Sequence, residues 1–173
     1  MRKHLGWKNL FLLGLVAEKD RYGYELKKLL IDYYNFYGIT MTTIYRSLKM
    51  AERNGWLQGQ PRPGEKNEQY LYSITPAGRE KLAQEVAYYL ATDELCLLRE
   101  FNTALRFRCV LSEDEVRRAL TLRRQKLTEK IERAKLFLDG ADPSPGGHES
   151  AKHAHDHRVA ERDWIDRYLS GIN

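Results

Sequence analysis

Four histidines fall close together near the end of this 173-residue chain: His148, His153, His155 and His157. The last three alternate, so a helix would bring His153 and His157 to one face at i and i+4, a spacing that lets two imidazoles meet one metal ion. They stand beside the breaker-rich run "DGADPSPGGHES", with no neighbouring cysteine and no evident outer shell of donors. The sequence therefore predicts polar loop or helix-start histidines and no metal site. Glu113, Asp114 and Glu115 form a second dense group, but they follow Ser112 in the Ser-x-x-Glu pattern of a capping box. They read as first-turn acids of a helix, not as a catalytic carboxylate pair. Cys96 and Cys109, if both on one helix, would lie about 20 Å apart, far beyond disulfide reach. They read as structural thiols, with a bridge across a dimer left open. The chain has no Gly-rich phosphate loop, no hydrolase elbow and no Cys/His pairing. It is predicted to be no enzyme and to use no cofactor.

The charge is more informative. The net charge is +5, and residues 1–92 hold 14 Lys+Arg against 9 Asp+Glu while residues 93–173 hold 15 against 15. All of the excess therefore sits in the first half, as expected of a polyanion-facing domain joined to a neutral one. Within that half, Thr40, Thr42, Thr43, Arg46 and Lys49 lie on a segment with Ile44, Leu48 and Ala51 at helical spacing. Thr42, Arg46 and Lys49 share one face and the apolar residues fall largely on another. Threonine methyls can pack on thymine methyls, and arginine can bond guanine or phosphate. Tyr45 suits either a phosphate hydrogen bond or packing under the preceding helices, and Tyr24 is open to the same two readings. The breaker-rich "PRPGEKN" adds Arg62 and Lys66 at the tip of a hairpin, where cations can follow a DNA backbone or enter the minor groove. Arg2, Lys3 and Lys8 are further cations at the N-terminus.

These residues need a scaffold. "HLGWKNLFLLGLVAE" is apolar nearly all round and predicts a central buried helix, too short to cross a membrane. "YGYELKKLLIDYYNFYG" predicts a second helix that Gly38 can end. Thr40 can cap the third, and "RNG" (53–55) stops it. "WLQGQ" and "EQYLYSI" flank the Pro/Gly stretch as two strands. Thr75 then caps, and Pro76 opens, a helix running to about Ala91. Three helices, a hairpin and a trailing helix make a winged helix-turn-helix over 1–91. Residues 92–173 read as helical, with Thr92 as a cap. In this part Val116, Leu120, Leu127, Ile131, Ala134 and Leu138 form a seam long enough to need a covering helix. A flexible loop at about 139–150 precedes an amphipathic end carrying Ile165, Tyr168, Leu169 and Ile172. The fold class is mainly α with a small β-hairpin.

"LLGLVAEKDRYGYEL", "TTIYRSLKMAERNGWL" and "QYLYSITPAGREKL" together resemble the PadR family of bacterial transcriptional regulators, in the family's order and spacing. The second half is similar to the helical dimerisation region of the longer, virulence-activator-like members, and Trp164 falls where their last helix carries a tryptophan. The family often has proline where this chain has Arg46, and a small residue where it has Thr43. The resemblance implies a cytoplasmic homodimeric repressor. It would bind double-stranded DNA at a pseudo-palindromic operator and respond to a small-molecule effector or stress signal. Thr40, Thr42, Thr43, Tyr45, Arg46, Lys49, Arg62, Lys66 and Tyr24 would face DNA. Leu120, Leu127, Ile131, Leu138, Trp164, Ile165, Tyr168 and Leu169 would pair the subunits. The alternative is a winged-helix protein-interaction module without specific DNA binding.

Overall fold

The computed structural model describes residues 4–34, 41–61, 70–92, 98–140 and 145–171. It is mainly helical, with one small antiparallel sheet. Two compact units can be distinguished, one formed by residues 1–86 with 102–110 and the other by 87–101 with 111–173. The sequence places the boundary at 91/92. In the structure the chain leaves the first unit at Val86 and returns to it for Asn102–Val110.

The first unit is built around α1 (Trp7–Glu18), whose Leu10, Phe11, Leu12, Leu13, Leu15 and Val16 are all buried. A helix apolar on every side has no solvent face, so its neighbours must surround it. They include α3 (Met41–Arg53), which buries Ile44, Leu48 and Ala51, and α4 (Pro76–Ala91), whose Leu82 lines a cavity with Gly14 and Ala17; α2 (Gly23–Tyr34) buries Leu26 in the same unit. α3 ends as predicted at "RNG". Gly55 takes φ +69, its N–H bonds the Glu52 carbonyl at 2.8 Å, and the Trp56 N–H bonds the Ala51 carbonyl at 2.9 Å. That paired closure uses a left-handed residue, which glycine adopts without a Cβ penalty.

Strands β2 (Leu57–Pro61) and β3 (Tyr70–Ile74) form the wing, with Gly59 opposite Tyr72. A third strand, β1 (Arg21–Tyr22), was not read from the sequence and pairs with the other edge of β3. It is fixed from both sides: Arg21 Nε donates to the Leu15 carbonyl at 3.0 Å, and the Tyr22 N–H donates to Glu25 at 2.8 Å. Thr75 caps α4 as expected, its Oγ1 accepting from the Gly78 N–H at 3.0 Å. Gly78 has no alternative here, because a Cβ would press into the Trp56 carbonyl.

The second unit is dominated by α6 (Glu113–Gly140) and α7 (Pro145–Gly171), which pack antiparallel. The capping box of α6 forms: the Ser112 N–H donates to Glu115 at 2.8 Å, and Ser112 Oγ accepts from the Glu115 N–H at 3.3 Å. Donation from the Ser112 N–H, and from its hydroxyl at 2.8 Å, to the Glu115 carboxylate holds that carboxyl below its usual range. Two expectations change. Most of the loop placed at 139–150 is helix, since α6 continues to Gly140 and α7 starts at Pro145, a position where proline costs the helix nothing. The Thr92 hydroxyl donates back to the Tyr88 carbonyl at 2.8 Å, and residues 93–97, which it was expected to cap, lie outside the described residues. Cys109 lies beyond α5 (Leu98–Arg106), in the short 3-10 turn Arg108–Val110, so the single-helix premise for the cysteine pair fails; Cys96 is outside the described residues.

A third change concerns the seam. Val116, Leu120, Leu127, Ile131 and Ile165 are buried within this one chain, because α7 itself supplies the covering helix. Leu120, Leu127, Ile131 and Ile165 therefore hold the α6–α7 hairpin together and present no surface to a second subunit. Leu138, Trp164, Tyr168 and Leu169 stay partly exposed. Trp164 stacks on Tyr168 with centroids 5.2 Å apart and meets Phe101 edge-on at 6.3 Å. Arg124 pairs with Asp166 across the hairpin. Deeper in, Arg123 is 2% exposed, sits 3.9 Å over the Phe101 ring and bonds Glu161 through Nε at 2.8 Å.

Candidate nucleic-acid interface

The helix α3 divides sharply. Ile44, Leu48 and Ala51 are buried, while Thr42, Tyr45, Arg46, Lys49 and Arg53 are exposed and Thr43 is half-buried. Exposed positions 42, 46, 49 and 53 follow steps of 4, 3 and 4, which keeps them on one stripe of a 3.6-residue helix. Together with Tyr45, Met50 and Asn54 they line a shallow open groove. Arg53 and Asn54 were not among the residues singled out from the sequence, where "RNG" read only as a helix stop. The step of four from Lys49 to Arg53 was the available signal. Asn54 is held in place by its side chain, whose Nδ2 donates to the Met50 carbonyl at 2.7 Å.

Of the two readings the sequence left open for Tyr45, packing is seen, and part of the side chain also stays exposed. A Cβ on Gly23 would lie 2.8 Å from its ring, so the ring packs on the first residue of α2, yet 38% of the residue is exposed. Tyr24 is 49% exposed and stacks on Tyr22, centroids 5.8 Å apart and planes 13° apart. Both tyrosines thus belong to the surface at the start of α2. Lys8 is half-buried near α1's start and lies 5.4 Å from the Trp7 ring centroid. Thr40, Arg62 and Lys66, along with Arg2 and Lys3, lie outside the described residues.

The strands aim the wing by a small network at its base. Glu52 of α3 accepts from the Gly59 N–H at 3.0 Å, tying α3 to the wing. Tyr72 packs beside it, and burial, with the Glu52 charge second, pushes its phenol up to about 12. The phenol therefore stays neutral through physiological pH.

Among the described residues, no group of three or more His, Cys, Asp or Glu is placed to hold a metal, and no helix is long and apolar enough to cross a membrane. Of the two placements expected for the histidines of α7, helix start holds for His148; the others lie further along the helix, where His153 and His157 share a face.

Residues 12–84, which run from α1 into α4, match the model of the transcriptional regulator PadR-like family. A solved transcriptional regulator from Clostridium thermocellum is 30% identical, over 48% of this chain and 80% of its own, with a TM-score of 0.43. The chain belongs to the PadR-like family. Bacillus subtilis PadR, solved in complex with operator DNA, is 21% identical to this PadR-like protein over 95% of this chain and 97% of its own, at a TM-score of 0.43. A PadR-like regulator from Bacillus cereus is 19% identical over 94% and 96%, at 0.41. No curated protein sequence matches the chain significantly.

Proposed function

We propose that this PadR-like regulator binds double-stranded DNA as a homodimer and represses transcription, with α3 in the major groove and the wing along the adjacent backbone. The observation that carries the reading is the single stripe of Thr42, Arg46, Lys49 and Arg53, exposed together while the opposite face of α3 is buried. Exposed hydroxyls and guanidinium groups at the start and middle of such a helix are what base edges and phosphates require. Tyr24, Tyr45 and Asn54 flank the stripe, and Thr40, Thr43, Arg62 and Lys66 are assigned to the same surface.

A single module of this kind buries only about 600–1,000 Å² on DNA. Pairing through the second unit would double the footprint and set two α3 helices roughly 34 Å apart on a pseudo-palindromic site. Apolar surface for that pairing remains at Leu122 and Leu136 on α6, both exposed, and at the half-exposed Leu138, Trp164, Tyr168 and Leu169. An effector or stress signal that alters the spacing between the two readers would relieve repression. Such a regulator works in the cytoplasm.

Fluorescence anisotropy with duplex fragments from the protein's own chromosome tests this. Affinity should fall steeply with salt, as released counterions require, and light scattering should report twice the chain mass. A salt-insensitive interaction with a protein, or a monomer that binds no duplex at low salt, refutes the reading.

A further inference from the structure

The histidines of α7 take no part in DNA binding as proposed above. The rings of His153 and His157 lie with centroids 4.5 Å apart and planes at 72°, and both residues are exposed. No other described residue hydrogen-bonds to either ring. His155 between them is differently placed, with Nδ1 3.1 Å from Asp156. Asp156 is engaged further by Lys152 at 2.6 Å. Two imidazoles are left facing one another on a regular helix.

Side chains at i and i+4 stand one above the other about 5–6 Å apart at Cβ, and imidazole nitrogens bind divalent zinc at about 2.0–2.1 Å. A small rotation of either ring would aim one nitrogen of each at a common point. We propose that His153 and His157 form a two-point chelate for a late first-row divalent ion, Ni²⁺, Cu²⁺ or Zn²⁺, on the exposed face of α7. Affinity for such nitrogen sites is highest for copper within this group. With only two protein donors, water completes the coordination, which makes the ion exchangeable. Glu149, exposed one turn before His153, adds negative potential on the approach side. Binding would staple one turn of α7 and so report metal availability to the helical unit. The site stands independently of whether α3 reads DNA.

The test is calorimetric titration of the full chain with Ni²⁺ at about pH 8, where free imidazole is neutral. A Cys109→Ser background removes the exposed thiol. The expected result is saturable binding of one ion per chain. It should weaken in His153→Ala and in His157→Ala by at least the roughly 10–100-fold that loss of outer-shell support alone costs. His155→Ala should bind like the parent. Far-UV circular dichroism of each variant checks that α7 is retained. Absence of saturable binding in the parent overturns the proposal, as do unchanged affinity in both pair variants or an equal loss in His155→Ala.

Discussion

The ring of Phe107 lies directly on the backbone of Gly14: a Cβ at that glycine would stand 2.5 Å from the ring carbons. Phe107 is 1% exposed and meets Phe11 edge-on at 5.5 Å. A residue far along the chain thus completes the core around α1, in a slot that only glycine leaves open. Beside it Arg106 pairs with Glu18 at 2.9 Å. Phe107→Ala should cost about 3–5 kcal/mol, the range for emptying an aromatic site in a core. Gly14→Ala should cost about 1–3 kcal/mol by overpacking. Because both act on one contact, the double variant should be less destabilised than the two losses added together. Urea unfolding curves of the four proteins decide this.

On α3, Arg46→Ala and Arg53→Ala should each weaken duplex binding by about 1–3 kcal/mol where the guanidinium meets a base edge. Where it meets only phosphate, the loss should be uniform across sequences and the salt dependence should shallow by about one counterion. Both side chains are exposed, so melting temperature should not move. Anisotropy titrations at several salt concentrations separate the two cases. A drop in melting temperature would place these arginines in the fold and not in the interface.

Arg123 offers a test of a buried charge. Its guanidinium sits over Phe101 and bonds Glu161, and Nη1 donates to the Tyr89 carbonyl at 3.4 Å. Removing one partner of such a pair strands the other, so Arg123→Ala should destabilise the second unit by about 3–5 kcal/mol. Replacing both members, as Arg123→Met with Glu161→Leu, should recover most of that loss. Thermal unfolding of the single and double variants measures the recovery.

Tyr72 predicts an alkaline limb. Its folded phenol is raised from 10.0 to about 12, so the folded state holds that proton more tightly than the unfolded chain does. The contribution to stability is complete below about pH 10 and is lost as pH rises from there to about 12. Absorbance titration of tyrosinate should show one late-ionising group that disappears in Tyr72→Phe, and the variant should lose less stability across that interval.

Much of this was legible in sequence because local chemistry and fold agree. Thr75, Pro76 and Gly78 start α4, Gly55 ends α3, and Ser112 with Glu115 opens α6, each by hydrogen bonds that neighbouring residues dictate. β1 escaped because two residues, Arg21 and Tyr22, carry no periodicity; their strand exists only through β3. The start of α7 escaped because proline and two glycines look like a loop, although proline is at home in a first helical turn. The stripe on α3 could be drawn from spacing as far as Lys49, but its extension through Arg53 was hidden under a stop signal. The seam of α6 was recognised, yet periodicity cannot tell a helix of the same chain from one of another subunit. Leu120 and Ile131 turned out to face α7.

The docking of Phe107 has a practical corollary. Anyone wishing to isolate the first unit would cut the gene after α4, near codon 91, where the amphipathic patterns change. Such a fragment would carry Gly14 and Phe11 but not the ring that seals them, leaving a greasy notch open to water. A soluble miniature of this regulator has to extend at least through Val110, or fill the notch with a substitute side chain.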